Sequence, residues 1–316
     1  MTRHSQAGAN APLQDGLIVA NYGRHLLVET PEKLQVICHA RGKKNQAVVG
    51  DRVKWLASQD QGTIEQILHR RNLLFRQDES RTKSFAANLD QVLILLAGEP
   101  AFSNSLLSRA LIAAHAQDIA VLIVLNKRDL ESSFERAWQR LLPYQSLGYQ
   151  VLSLSAAKDN VSQLGLLRSQ LSRRTTLLLG PSGAGKSTLI NRLIPNANAQ
   201  TGALSQALNT GRHTTTRTSW FWVNQAQDTA LIDSPGFQEF GLNHIEPARL
   251  AAFMPDIAVH AENCRFYNCT HLHEPGCGVL AAASDQGQSG IDPERYAIYV
   301  ALYDEISIAK TAGQRN

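Results

Sequence analysis

The chain has 316 residues, enough for two or three domains that each bury an ordinary core. Hydrophobic residues make up 43% and charged residues 18%, a globular composition, and no run approaches the roughly 18 apolar residues of a membrane helix, so no membrane partner is expected. The net charge of +4 is regional: residues 41–83 carry ten Lys or Arg against five Asp or Glu, leaving −1 for the remainder, which suits either a solvated face or a polyanion partner.

In chain order, residues 1–15 read as a loose polar tail without the apolar stretch of a secretory signal, as in a cytoplasmic protein. Five short strand-like pieces follow at 16–20, 25–30, 34–39, 52–56 and 62–68, separated by glycine and polar turns. That density of strands predicts a small β-barrel of the OB type over residues 16–80. From residue 85 to 243 the rhythm changes to apolar strands (91–97, 119–125, 150–154, 175–179) alternating with helical stretches (105–117, 132–147, 161–171), with later strands at 219–223 and 229–232. This alternation predicts a doubly wound α/β domain. Residues 244–316 are irregular around a cysteine cluster and end in a helix opened by Asp292 as cap and Pro293 at its first position.

Gly180-Pro181-Ser182-Gly183-Ala184-Gly185-Lys186-Ser187 matches the P-loop pattern G-x-x-x-x-G-K-[ST], and it lies between an apolar strand and a helical stretch that begins at Thr188. In such a loop glycines turn backbone amides toward phosphate oxygens, Lys186 reaches the β and γ phosphates, and Ser187 offers a hydroxyl to Mg²⁺. Asn126-Lys127-Arg128-Asp129, after the strand at 119–125, matches N-K-x-D. A carboxylate at Asp129 accepts from guanine N1–H and the exocyclic amine. Adenine presents no such pair of donors, so GTP is expected over ATP. Ser155-Ala156-Ala157-Lys158 resembles the S-A-K loop that meets guanine O6 with backbone amides.

Asp233-Ser234-Pro235-Gly236 follows a strand as D-x-x-G, with Asp233 placed to hold Mg²⁺ through water and the Gly236 amide to sense the γ phosphate. Between it and the P-loop, Gly211-Arg212-His213-Thr214-Thr215-Thr216 reads as a switch carrying the threonine that ligates Mg²⁺. Thr215 is favoured, with Thr216 close behind, because three adjacent threonines defeat assignment by sequence. Phe237 stands where many GTPases place a water-orienting glutamine, so intrinsic hydrolysis should be slow; His213 is the local candidate to complete the site, against a plain packing role. The order of the motifs is circularly permuted, since N-K-x-D and S-A-K precede the P-loop. The segment after Gly236 therefore runs directly into the cysteine-containing module.

Of four cysteines, Cys38 stands alone, whereas Cys264, Cys269 and Cys277 join His271 in a C-x₄-C-x-H-x₅-C spacing. Three thiolates and an imidazole suit one structural, tetrahedral Zn²⁺ per chain; His273 could replace His271 on composition, and His260 is a more distant option.

Taken together, these motifs, with Gly50-Asp51-Arg52-Val53, Glu239-Phe240-Gly241 and Glu274-Pro275-Gly276, resemble the ribosome-small-subunit-dependent GTPase family, RsgA or YjeQ, from about residue 16 to the carboxyl terminus. The resemblance implies an OB-type β-barrel that binds RNA, a central α/β circularly permuted P-loop GTPase domain and a small α-rich zinc-binding domain. It also implies action on the small ribosomal subunit late in its maturation, with rRNA as the contact surface and the subunit stimulating hydrolysis; a monomer is expected. A nucleotide-gated rRNA-binding or translation factor with little turnover is the alternative. Arg128, a bulky charge inside N-K-x-D, and Gln238, before Glu239, depart from the family pattern.

Overall fold

The computed structural model describes residues 12–42, 46–58, 61–78, 81–195, 197, 217–235, 237, 240–285 and 290–313. Strands β1 (Gln14–Tyr22), β2 (His25–Glu29), β3 (Gln35–Ala40), β4 (Arg52–Ala57) and β5 (Gly62–Ile67) come first. β1 pairs antiparallel with β2 and β4, β3 lies parallel to β5, and β4 pairs antiparallel with β5. The circuit β1-β2-β3-β5-β4-β1 closes on itself, which is the five-stranded OB-like barrel expected from the spacing of the strands. Ile18, Leu26, Val28, Cys38, Val53, Trp55 and Ile64 are buried together in its core.

Gly50 and Asp51, immediately before β4, are held by close contacts. The Gly50 φ of +90° is open to glycine at little strain, and a Cβ there would stand 2.2 Å from the Ala87 carbonyl oxygen. The wholly buried Asp51 carboxylate accepts the Val48 N–H at 2.8 Å and two guanidinium donors of Arg70 at 2.7 Å each. A buried charge is tolerable only when paired and bonded in this way.

A hairpin of β6 (Leu73–Gln77) and β7 (Thr82–Ala87), not anticipated from the sequence, leads out of the barrel. Beyond it come β8 (Gln91–Ala97), α1 (Asn104–His115), β9 (Ala120–Asn126), α2 (Glu131–Gln139), α3 (Leu142–Ser146), β10 (Gln150–Ser153), α4 (Gly165–Leu171), β11 (Thr175–Leu179), α5 (Lys186–Leu193), β12 (Thr218–Trp222) and β13 (Ala230–Asp233). The sheet order is β10-β9-β8-β11-β13-β12, parallel except for the antiparallel β12. All seven residues of β8 are buried, and their period of two sends Val92, Ile94 and Leu96 into one hydrophobic layer and Leu93 and Leu95 into the other. Helix α1 covers the first layer through Leu107 and Leu111, and α5 covers the second through Leu189, Ile190 and Leu193.

The single helix expected over 132–147 is instead two. α2 ends at Gln139, and α3 restarts with Pro143 in its first turn, where the missing N–H breaks no helical bond. The expected helix at 161–171 begins only at Gly165, after a turn.

The carboxyl-terminal region adds α6 (Pro255–Ala261), α7 (Gly278–Ser284) and α8 (Pro293–Gly313). The expected cap of α8 is formed: the Asp292 carboxylate accepts the N–H groups of Glu294 at 2.9 Å and Arg295 at 3.1 Å.

Candidate functional site

Four of the sequence motifs lie at the carboxyl ends of neighbouring parallel strands, the place where open α/β sheets bind ligands. The P-loop follows β11, N-K-x-D follows β9, S-A-K follows β10, and Asp233 ends β13. Between P-loop and D-x-x-G is a cleft of about 610 Å³ lined by Lys127, Gly180, Ser182, Gly183, Gly185, Lys186, Ser187, Thr188, Asp233, Ser234, Pro235 and Phe237.

Glycine is required in the loop by close approach as well as by conformation. A Cβ on Gly185 (φ +100°) would sit 2.3 Å from Asn126 Nδ2, and one on Gly180 would sit 2.3 Å from the Leu95 carbonyl oxygen. Ala184 is buried, whereas Ser182, Gly183, Ser187 and Thr188 are exposed. Lys186 Nζ donates to the carbonyls of Gly180 at 2.6 Å and Pro181 at 3.1 Å. Burial lowers the Lys186 pKa against the pull of Asp233, and burial raises that of Asp233 against the pull of Lys186. Each group thus gains from a compensating charge, and a phosphate with a divalent cation supplies both.

The base loops are tied to the phosphate loop by one amide. Asn126, buried at the end of β9, donates from Nδ2 to the Ala184 carbonyl at 2.8 Å and accepts the Ala156 N–H at Oδ1, also 2.8 Å. Lys127, at φ +62°, donates to the Glu99 carbonyl at 2.6 Å. The Ser155 hydroxyl donates to Asp129 at 2.5 Å, and Lys158 pairs with the same carboxylate at 3.5 Å. Chiefly through the serine bond, with help from the Lys158 charge, the Asp129 carboxyl is held below the ordinary carboxylate range. It is therefore ionised and acceptor-only at neutral pH, as recognition of two guanine donors requires. Ala156 is buried and Ala157 is exposed beside it.

His213, Thr215 and Gly236 lie outside the described residues, as do Thr214, Thr216 and Gln238. Phe237 is buried, edge-on to Phe240 at 6.2 Å, and Phe240 stacks on Phe85 of β7 at 5.5 Å. Sequence reading missed Lys83, whose ammonium donates to the Pro235 carbonyl at 2.6 Å and so braces D-x-x-G from the hairpin; nothing local signals a partner 152 positions away.

A second cluster occupies the carboxyl-terminal region. The ligand atoms of Cys264, Cys269, His271 and Cys277 all lie within 4.8 Å of one another. His271 Nδ1 stands 3.4 Å from Cys264 Sγ and 3.5 Å from Cys277 Sγ, whereas His273 is exposed and outside the group. The donor set fits a soft divalent ion with closed coordination. Glu274 shapes the loop between these residues by accepting the Thr270 N–H at 2.7 Å and hydroxyl at 2.5 Å, while Tyr296 and Tyr299 of α8 donate to the carbonyls of His271 and Thr270.

The model of the RsgA GTPase family matches residues 67–243. Curated relatives named small ribosomal subunit biogenesis GTPase RsgA include one from Variovorax paradoxus, 60% identical with 95% of each chain covered. Another, from Paraburkholderia phytofirmans, is 50% identical, covering 92% of this chain and 93% of its own. Among solved structures, YjeQ from Thermotoga maritima superposes with a TM-score of 0.70 at 27% identity over 93% of this chain and 99% of its own. YloQ, described as a circularly permuted GTPase, gives 0.66 at 25% identity over 97% and 98%. With its permuted motifs gathered at the carboxyl ends of one sheet's parallel strands and relatives matching nearly end to end, the chain belongs to the RsgA GTPase family.

Proposed function

We propose that this GTPase binds the small ribosomal subunit in its GTP state and hydrolyses GTP to GDP and phosphate late in that subunit's maturation, release following hydrolysis. The observation that carries the reading is a cleft lined by the P-loop, Lys127 and Asp233, with the S-A-K loop tied to the P-loop through Asn126, in a chain whose relatives are named for small-subunit biogenesis. Asp129 takes guanine N1–H and the exocyclic amine, and the Ala156 and Ala157 amides meet O6. Residues 180–188 hold the phosphates, with Lys186 on the β and γ groups. Mg²⁺ is assigned to Ser187, Thr215 and, through water, Asp233, with Gly236 sensing the γ phosphate.

Phe237 has no group to orient water, so His213 is assigned that task when the subunit is bound; positioning or general-base help is typically worth about 10²- to 10⁴-fold. One Zn²⁺ on Cys264, Cys269, His271 and Cys277 holds the carboxyl-terminal module together and takes no part in the chemistry. The barrel, with the basic excess at 41–83, and the zinc module face rRNA, and the protein acts as a cytoplasmic monomer.

Co-sedimentation with purified small subunits tests this reading. The protein should travel with the subunit in a non-hydrolysable GTP analogue and leave it in GDP, and His213→Ala should remain bound after GTP is added. Equal retention in both nucleotides would contradict the cycle, and release of His213→Ala at the wild-type rate would return that histidine to a packing role.

A further inference from the structure

Arg128, the charge that departs from the family pattern, has a defined partner. Its Nη2 donates to Asp159 Oδ1 at 3.0 Å, and its backbone N–H donates to the Leu154 carbonyl at 3.1 Å. The other oxygen of Asp159 accepts the Ser155 N–H at 2.8 Å, and the Asp159 N–H returns a bond to the Ser155 carbonyl, also at 2.8 Å. From the far side, Arg192 of α5 donates to the Asp159 carbonyl. Asp159 is 4% exposed, whereas the Arg128 side chain is 45% exposed.

One residue therefore gathers three motifs. N-K-x-D reaches Asp159 through Arg128, S-A-K through Ser155, and the P-loop helix through Arg192. Ser155 in turn donates its hydroxyl to Asp129, so the aim of the base-reading carboxylate depends on where Asp159 holds the Ser155 backbone. We propose that the Arg128–Asp159 pair is a positioning brace that sets the guanine-reading geometry of Asp129, making both residues determinants of purine specificity. The inference rests on the reading of N-K-x-D and S-A-K as base loops.

The chemistry follows from what each partner loses. Without the guanidinium, Asp159 Oδ1 loses its charged donor, and the S-A-K loop is left on the N-K-x-D side with the Ser155–Asp129 and Lys158–Asp129 contacts, the bond from the Ala156 N–H to Asn126 Oδ1, and backbone bonds. A charge-assisted bond at a half-exposed site is modest, so the effect belongs in ligand dissociation and base selection and not in folding. Selectivity is the sharper readout. Hypoxanthine lacks the exocyclic amine that Asp129 accepts, so a mis-aimed Asp129 gives up affinity for GDP while giving up less for inosine diphosphate.

The test measures dissociation of fluorescent methylanthraniloyl-GDP and competition by GDP and inosine diphosphate, using the full chain and its Arg128→Ala, Arg128→Lys, Asp159→Asn and Asp129→Asn variants, with melting temperature alongside. For Arg128→Ala the expected result is GDP release faster by about 3- to 10-fold, a fall in the GDP to inosine diphosphate preference and a nearly unchanged melting temperature. Arg128→Lys, keeping the charge on a single-headed donor, should fall between wild type and alanine. Adding Arg128→Ala to Asp159→Asn should cost less than it does alone. A purely structural role would lower the melting temperature and weaken both nucleotides in equal proportion, which would overturn the proposal. Wild-type release and preference in Arg128→Ala, with guanine preference lost in Asp129→Asn, would refute the brace alone. Guanine preference intact in Asp129→Asn would refute the base-loop reading beneath it.

Discussion

At the scale of single residues, the site is held by side chains whose partners fall into two groups. Asn126, Lys186 and Asp129 sit in motifs, so their candidacy was legible in the sequence, whereas the contacts they make with Ala184 and Ala156, with Gly180 and Pro181, and with Ser155 and Lys158 were not. Asp159 and Lys83 carry no motif; their work is defined by groups 31 and 152 positions away, which only folding brings together. Thr215 was favoured only narrowly among three adjacent threonines, and it lies outside the described residues. Another residue that no motif marks is His244, whose ring lies 4.3 Å from that of Phe75 with Nδ1 buried and, among the described residues, unpartnered. Burial, aided by Lys310, pushes its pKa down to about 4 from 6.5. The folded state thus binds fewer protons than the unfolded state below pH 6.5, and His244 subtracts stability as pH falls from about 6.5 through 4. Denaturant titrations across that range should show a shallower loss in His244→Leu than in the native sequence; parallel curves would assign the acid sensitivity elsewhere.

At the scale of elements, strands with a clear period were read to within a residue or two, β8 and β11 being the clearest because both faces are covered and each holds an unbroken apolar run, Val92–Ala97 and Leu177–Leu179. The β6–β7 hairpin was not read because neither strand, Leu-Leu-Phe-Arg-Gln or Thr-Lys-Ser-Phe-Ala-Ala, carries enough local pattern. Its stability comes from tertiary partners: Gln77 exchanges backbone bonds with the segment at Gly241 and Asn243, and Asp78 accepts the Gly241 N–H at 2.9 Å. Docking of α8 is equally non-local. Arg295, 4% exposed, makes a two-pronged pair with Asp256 of α6 and donates to Ser108 of α1 at 3.0 Å. Removing one member of such a buried pair typically costs about 3–5 kcal/mol, because the other is left charged and unpaired. The cysteine cluster sits against this helix through Tyr296 and Tyr299, so metal and helix should act as one unit. Elemental analysis of chelator-free protein should return one zinc per chain, lost in His271→Ala and kept in His273→Ala. The reverse pattern would reassign the histidine, and no zinc in the native protein would end the assignment.

At the scale of the whole molecule, barrel and nucleotide-binding sheet are one hydrogen-bonded surface. Residues 14–17 of β1 pair with β4 to close the barrel, and Ala20 and Asn21, farther along the same strand, pair with β12. β12 begins just after the switch threonines of the sequence and lies against β13, which delivers Asp233, so a change at the nucleotide has a short covalent and hydrogen-bonded route to the barrel. The carboxyl-terminal module is anchored on α1 by Asn104–Glu294, Arg109–Glu305 and Arg295–Ser108, and on the hairpin through the segment after D-x-x-G. Permutation places that segment, an internal switch in ordinary GTPases, at the entrance to the cysteine-containing module. The broad plan was legible because motif order and cysteine spacing are written in the chain; the β1–β12 junction was not, since two paired residues leave no pattern. The proposed GTPase hydrolyses GTP slowly by itself and is completed on the small subunit. Its most direct test is phosphate release from GTP and from ATP by the full chain, with and without purified small subunits. Slow turnover of GTP alone, strong stimulation by the subunit and no comparable turnover of ATP are expected. Equal rates with and without the subunit, or a preference for ATP, would contradict this assignment.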